Sequence, residues 1–295
     1  MHQADALRSG TAVTSLRTYR YVRVALLAAV LLLTAGVGWC LATIGPLRSI
    51  SAAYYTPARS VLVGALFVVA ASLVVLAGRS VRRFLLLLAG LTAPLIALVP
   101  APLPSRELEL LTGTGCPGGA DRCLPDGTAS EIAVGMPAYL IVAGAVLAAS
   151  VVFAALDSSL DAWSLGRAGI AAVLLAALGV WSTLPSFEAL AHYASAGVFF
   201  LLIAVVAGVH AWQLPAEGVR GPGSARGYAG AYAVLAALIV LVELALVLLL
   251  ATRTGARLLG EQWLLIGEAA ALALFAVFWL LQTIENWNEP NAMLR

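Results

Sequence analysis

The sequence predicts an all-α protein, a polytopic transmembrane helical bundle of about eight spans. Two observations concern composition: 62% of the 295 residues are hydrophobic, and only 11% are charged. Soluble domains carry about 25% charged residues, so this chain has too few to cover a surface that faces water. The third observation is that apolar runs recur at the roughly 20-residue length that a bilayer-spanning helix requires. Together these features exclude a soluble enzyme, a disordered protein and a nucleic-acid-binding protein.

Eight segments satisfy the length and apolarity that a span needs. The predicted spans cover residues 22–44, 59–78, 83–100, 133–156, 167–185, 190–212, 227–251 and 261–284. The first is too long for the core of a secretory signal and lacks a small-residue cleavage site, so we interpret it as a retained span. The resulting organisation is a cytoplasmic N-terminal tail (1–21), one integral membrane domain (22–285) and a cytoplasmic C-terminal tail (286–295).

The arginine distribution predicts the orientation. All 17 basic residues are arginine, and a cytoplasmic N-terminus places eleven of them in cytoplasmic segments and six on the opposite side. Since positive residues are enriched in cytoplasmic loops, we expect both termini to lie in the cytoplasm. The expected location is the plasma membrane, specifically the bacterial inner membrane. The long loop 101–132 is then extracytoplasmic. Its Cys116 and Cys123 are predicted to form a disulfide there, the alternative being two unrelated thiols.

Two carboxylates are predicted at hydrocarbon depth, where an unpaired charge is costly. Glu243 and Glu268 lie in the last two spans, each about 10–12 Å below the outer surface at 1.5 Å per residue. At matching depth they could share a proton, bind a cation or meet an arginine. His210 and Glu285 fall near the inner ends of their spans and are predicted to be interfacial.

The loop before the second span supplies a basic partner at the same level. Thr56 followed by Pro57 predicts a helix start, which places Arg59 in the first helical turn, where the helix dipole disfavours a cation. A carboxylate that faces inward would compensate this charge; the alternative is that Arg59 extends to the lipid headgroups. His192 opens the sixth span on the same side, either as a site residue or as an ordinary interfacial histidine.

Three segments resemble a pattern of bacterial multi-helix membrane proteins of uncharacterised function. They are the loop 49–59 (S-I-S-A-A-Y-Y-T-P-A-R), the helix start 192–196 (H-Y-A-S-A), and the last span with Glu268, Phe275 and Trp279. The order of an S-I-S loop and a later helix that begins with histidine is distantly similar to the DRAM-like family, eukaryotic membrane proteins linked with lipid remodelling and autophagy. That family has six spans rather than eight. The resemblance implies one shared site, which comprises Tyr54, Tyr55, Arg59, His192 and Glu268.

Three functions are consistent with the sequence. The first is a protein that binds or moves a lipid headgroup or small polar solute through an outer-leaflet pocket formed by Tyr54, Tyr55, Arg59, His192, Glu243 and Glu268. The second is an intramembrane lipid-modifying hydrolase that uses His192 with Glu243 and Glu268. The third is a structural or accessory subunit whose polar residues only hold helices together. The expected partners are membrane lipids and no nucleic acid, and the sequence predicts no cofactor and no metal site.

Overall fold

The computed structural model describes residues 2–77, 80–219 and 222–288 and is all-α apart from one short β-hairpin. Within these residues, eight helices are long and apolar enough to cross a membrane. The ten helices are α1 (His2–Thr43), α2 (Arg59–Leu76), α3 (Val81–Leu98), α4 (Ser105–Thr112), α5 (Thr128–Leu156), α6 (Ala162–Trp181), α7 (Ser186–Glu217), α8 (Ala225–Thr252), α9 (Gly255–Leu259) and α10 (Trp263–Glu285). The fold class and the number of spans are therefore as predicted.

The helix ends differ from the predicted spans by up to five residues, with α1 as the exception. That helix begins at His2, so most of the predicted N-terminal tail is helical, although its apolar part is Leu16–Thr43. An α-helix can extend beyond its apolar segment, because each further residue, polar or apolar, adds one backbone hydrogen bond to a helix that is already formed. Arg79 and Arg220, which contribute to the predicted orientation, lie outside the described residues, as do residues 289–295.

Six of the spanning helices form a bundle, and the other two lie beside it. The largest buried cluster draws its side chains from α1, α2, α3, α7, α8 and α10. Only 6% of the most apolar stretch of α5, and the same share of α6, is buried within the protein, against 39% for α2, α3 and α7. The α5–α6 pair packs on α3, where Ile132 and Met136 join Leu95 and Val99 in a second core.

Glycines allow two pairs of helices to approach closely. A Cβ atom at Gly267 of α10 would overlap the side chain of Leu246 on α8, and one at Gly36 of α1 would lie 2.7 Å from Cγ1 of Val61 on α2. Neither position can accept a side chain without moving its neighbour. Small residues at helix contacts are typical of membrane bundles, in which close packing replaces the hydrophobic driving force.

Alternating helix directions give the bundle two distinct ends. We call one the loop end, which holds residues 44–58, 99–127 and 253–262, and the other the terminus end, which holds Leu16–Arg23 and Glu285–Asn288. At the loop end, β1 (Leu103–Pro104) pairs antiparallel with β2 (Arg122–Cys123). The expected bond between Cys116 and Cys123 is present and ties the turn before β2 to the hairpin.

Candidate functional site

A buried polar cluster lies at the loop end, between α7, α10 and the segment that joins α1 to α2. Oγ of Ser51 lies 2.8 Å from Nε2 of His192 and 2.9 Å from Oε1 of Glu268. Oε2 of Glu268 accepts hydrogen bonds from the backbone N–H groups of Ile50, at 2.5 Å, and Ser51, at 3.1 Å. We call Ser51, His192 and Glu268 the Ser51 cluster. It brings together two predicted site residues, and it adds a serine that was not predicted.

The chain before α2 is folded so that its backbone meets α10. Residues Ser51–Tyr55 form a 3₁₀ turn, and the carbonyl of Arg48 accepts a 2.9 Å hydrogen bond from the N–H of Leu265. That N–H belongs to the first turn of α10, where backbone donors have no partner within the helix. The two segments therefore satisfy each other's backbone groups, and this docking places Ser51 against Glu268.

Counting protons defines the hydrogen bonding of the Ser51 cluster. Nδ1 of His192 lies 2.8 Å from the carbonyl oxygen of Val99, which can only accept, so Nδ1 carries a hydrogen. Ser51 has one hydroxyl hydrogen but faces both Nε2 of His192 and a Glu268 oxygen. Both contacts are hydrogen bonds only if one further proton lies on Glu268 or on Nε2. With it on Glu268, every group is satisfied and no charge is buried, which is the arrangement of lowest desolvation cost.

An apolar pocket of about 100 Å³ opens from the Ser51 cluster into the bundle. All three cluster residues line its polar end, while the remaining walls come from aliphatic and aromatic side chains. The walls of α1, α2, α7 and α10 include Leu33, Leu66, Phe199 and Phe275. His192 is only 3% exposed, whereas Ser51 and Glu268 are partly exposed and can be reached from the pocket.

Arg59 belongs to a different group from the one predicted. Its guanidinium forms an ion pair with Glu131 at the start of α5, donates a 2.6 Å hydrogen bond to the Tyr54 hydroxyl, and lies 4.2 Å over the Tyr54 ring. Tyr54, Arg59 and Glu131 line a cavity of their own. The compensating carboxylate is thus Glu131 rather than Glu243 or Glu268, because α5 begins five residues earlier than predicted and brings Glu131 to the first turn of α2.

The two tyrosines of the 3₁₀ turn act as neutral hydrogen-bond donors. Tyr54 donates to Oε2 of Glu131 at 3.0 Å, and Tyr55 donates to the carbonyl of Ala101 at 2.9 Å. Burial, with a smaller contribution from Glu131, raises the pKa of Tyr54 to about 12, and burial likewise raises the pKa of Tyr55. Neither tyrosine lines the apolar pocket. The expectation of one site that contains Tyr54, Tyr55, Arg59 and the Ser51 cluster is therefore wrong. Ser51, at the start of the 3₁₀ turn, bonds to His192 and Glu268, whereas Tyr54 and Tyr55, at its end, bond to other partners.

The start of α2 matches the predicted span and keeps Arg59 in the first turn, but the predicted Thr56 cap is absent. The helix begins at Arg59, and the preceding Ala58 makes no side-chain cap. Thr56 instead accepts a 3.2 Å hydrogen bond from the N–H of Ala58 through its hydroxyl, and its carbonyl accepts from the N–H of Arg59. The threonine and the proline after it form a turn ahead of the helix, since the chain must first leave the 3₁₀ turn.

Glu243 lies outside the Ser51 cluster and forms no hydrogen bond with Glu268. Its partly buried carboxylate lies near Gly197 of α7, where a Cβ atom would be 3.8 Å from Oε2 of Glu243. Glu243 forms no hydrogen bond or ion pair with any described residue. In the described part of the chain, no three His, Cys, Asp or Glu side chains are placed to hold a metal ion. The structure thus does not assemble a metal site from His192, Glu243 and Glu268.

A second polar cluster, at the terminus end, was not predicted as a site. Nε2 of His210 donates to Glu285 at 2.9 Å, and the Tyr232 hydroxyl donates to the same carboxylate at 2.6 Å. His210 and Glu285 lie near the ends of their helices, as predicted, but at 4% and 5% exposed they are buried in the bundle. The available signal was a histidine two turns before the end of α7 and a carboxylate at the end of α10, at the same end of the bundle as Tyr232 of α8. By contrast, Trp212 is 82% exposed, as expected of a residue in the aromatic belt.

The fold and the polar clusters define the class of the protein as a multi-pass helical membrane protein with a partly polar interior. Comparison of the chain with protein-family models, curated proteins and solved structures finds no match. The resemblance to DRAM-like proteins and to bacterial multi-helix proteins therefore stays a prediction. Function has to be argued from the clusters and pockets themselves.

Proposed function

We propose that the protein binds a lipid or a similar amphiphile inside the helical bundle, in the apolar pocket that ends at the Ser51 cluster. The supporting observation is the pocket itself. One end carries hydrogen-bonding groups, and the walls beyond it are apolar. Ligand pockets are usually largely apolar with a few polar groups that fix orientation. These walls favour an amphiphile over the small polar solute that the sequence also allowed, since a polar solute would lose its hydration without replacement.

The polar end selects the kind of headgroup. Among the residues that the structure describes, no arginine lines this pocket, and Arg59 is paired with Glu131 in a separate cavity. Ser51 and Glu268 offer a hydroxyl and a carboxyl group to a ligand in the pocket. With Glu268 protonated, this end of the pocket is neutral and holds no cation to compensate the charge of a buried phosphate or carboxylate. The hydrogens of Ser51 and Glu268 are already donated within the cluster, so the ligand's polar group is a neutral or cationic hydrogen-bond donor, such as a hydroxyl or an amine.

A pair of alanines on α7 provides a matched test. Ala196 lines the apolar pocket, whereas Ala194 is exposed on the outside of the helix. Phenylalanine at position 196 fills the pocket, and phenylalanine at position 194 adds the same side chain outside it. The protein is purified in mild detergent, its bound lipid is measured by native mass spectrometry, and uptake of a fluorescent hydrocarbon chain with a neutral headgroup, parinaryl alcohol, is titrated.

We expect the wild type and Ala194→Phe to retain lipid and to bind the probe with similar affinity. Ala196→Phe is expected to lose the bound lipid and to bind the probe at least about tenfold more weakly, since the ligand and the ring compete for one space. Wild-type protein that carries no lipid and takes up no probe would refute the proposal. So would an Ala196→Phe variant with wild-type binding.

One observation favours the hydrolase as a second candidate. The 2.8 Å separation of Ser51 Oγ and His192 Nε2 is that of a nucleophile and its general base. Acyl transfer also needs donors that stabilise the oxyanion. The N–H groups of Ile50 and Ser51 already donate to Glu268, and that of Ala52 donates to Ser49. We therefore rank binding first. Covalent labelling by a fluorophosphonate probe in the wild type, absent in Ser51→Ala, would reverse this order.

A further inference from the structure

A second pocket lies at the terminus end of the bundle, between α1, α3, α7 and α10. Its volume is about 100 Å³, and the three guanidinium groups of Arg23, Arg82 and Arg83 line it. It shares no lining residue with the apolar pocket. Along α7, His192 and His210 mark the two pockets and lie 18 residues apart, which is about 27 Å of helix at 1.5 Å per residue. The terminus-end pocket is therefore a site of its own.

Four hydrogen-bond donors without partners belong to residues that line this pocket. The Tyr19 hydroxyl, Nε of Arg23, Nη1 of Arg83 and Nε1 of Trp279 are buried and have no partner among the described residues. The side chains of Tyr19, Arg23 and Trp279 are 4%, 7% and 2% exposed. Buried polar atoms almost always have a partner, so four unpaired atoms around one cavity indicate a group that the pocket receives. The three nitrogens can only donate. The group must therefore be rich in acceptors.

The carboxylates of the pocket already have partners. Glu285 accepts from His210 and Tyr232, and Glu217 lies 3.7 Å from Arg82. Arg82 also contacts Nδ1 of His210. Neither Arg23 nor Arg83 forms an ion pair with a described carboxylate, and Arg23 donates only to the backbone carbonyl of Asn286, at 3.1 Å. Three guanidiniums against two carboxylates leave the pocket with a net positive charge.

We propose that the terminus-end pocket binds a phosphate group. The guanidinium fork matches the oxygens of phosphate, and the phenol and indole donors complete the coordination without adding charge. The same chemistry is presented by the headgroup of a phospholipid and by free phosphate. This inference does not depend on the proposed function, because it concerns different residues at the opposite end of the bundle.

The test measures stabilisation of the purified, delipidated protein in maltoside detergent by two phosphate-bearing probes. One is inorganic phosphate, compared with chloride at equal ionic strength. The other is phosphatidylglycerol in mixed micelles, compared with diacylglycerol, which has the same chains and no phosphate. Thermal unfolding followed by tryptophan fluorescence gives an apparent affinity for each probe. Stabilisation by phosphatidylglycerol alone identifies a lipid headgroup as the ligand, and stabilisation by inorganic phosphate identifies the free ion.

Three variants assign the binding to the pocket. Arg83→Gln is expected to weaken binding by about tenfold or more, because it removes a charge-assisted donor. Tyr19→Phe keeps the ring and removes only an unpaired hydroxyl, so the fold is preserved while affinity falls several-fold. Arg226→Gln is the control: it removes one exposed arginine at the same end without touching the pocket, and its affinity should stay within twofold. If neither probe stabilises the wild type, or if Arg83→Gln and Tyr19→Phe bind as it does, the proposal is refuted.

Discussion

Substitution of Glu268 tests the neutral hydrogen-bond network of the Ser51 cluster. Glutamine has the shape of a protonated glutamate. Its carbonyl oxygen can accept from the N–H groups of Ile50 and Ser51, and its amide can donate to Oγ of Ser51, which then donates to His192. Alanine removes every one of these partners. If the cluster is neutral, the two substitutions therefore differ strongly in their effect on stability.

The expected magnitudes follow from the number of groups that lose a partner. In Glu268→Ala, two backbone N–H groups that now donate at 2.5 and 3.1 Å lose their acceptor. Each unsatisfied donor costs about 1–3 kcal/mol, so the free energy of unfolding should fall by about 4 kcal/mol. In Glu268→Gln all hydrogen bonds persist, and the expected loss is about 1 kcal/mol or less.

Unfolding by sodium dodecyl sulfate, followed by the fluorescence of the seven tryptophans, measures these differences. Glu188→Gln is the control, since Glu188 is exposed in the first turn of α7 and its substitution should change stability by no more than about 0.5 kcal/mol. Equal losses for the glutamine and alanine variants would refute the reasoning. They would mean that an ionised Glu268 faces a protonated His192, a pair that glutamine cannot replace.

Three further predictions concern other parts of the molecule. Tyr232→Phe removes the 2.6 Å hydrogen bond to Glu285 and should lower the free energy of unfolding by about 1–2 kcal/mol; unchanged stability in the same unfolding assay would contradict the buried cluster. Cys123→Ser opens the disulfide to Cys116, whose sequence separation is 7, and should cost about 2.5 kcal/mol; a reductant should then destabilise the wild type but not the variant. Burial raises the pKa of Glu107 above 4.5, although Arg48 and Arg122 oppose the shift, so the folded state holds this proton more tightly than the unfolded state. The contribution of Glu107 to stability therefore falls as pH rises from about 4.5 through the raised pKa, and Glu107→Gln should remove this slope from melting temperatures measured between pH 4 and 8; parallel curves for both proteins would contradict it.

The helical bundle was predictable because its signal is local. A span is recognised from its own 20 residues, and a shortage of charge over the whole chain leaves few other folds. The extension of α1 to His2 was not predictable in this way, since hydropathy does not report where a polar helix ends. The short α4 and α9 lie in connecting segments, and their eight and five residues are too few to establish a helical period.

The site was predictable only in part, because polar partners are chosen by tertiary packing. His192 and Glu268 were identified from their position in apolar spans, where a polar group requires a partner. Ser51 lies in a turn that gives no such signal, and its place between them depends on how the turn docks on α10. Glu131 was assigned to a loop because the predicted fourth span began at residue 133, and its pairing with Arg59 was missed for that reason.

The arrangement of polar groups along α7 has a mechanical consequence. His192 and His210 are 18 residues apart, which is five full turns at 3.6 residues per turn, so both point to the same side of one rod. His192 is hydrogen-bonded to Ser51 at the loop end, and His210 is hydrogen-bonded to Glu285 of α10 at the terminus end. A shift of α7 along its axis by a single residue, about 1.5 Å, would lengthen both of these hydrogen bonds together. The helix therefore couples the two ends of the bundle, and neither can rearrange along this axis while the other stays fixed.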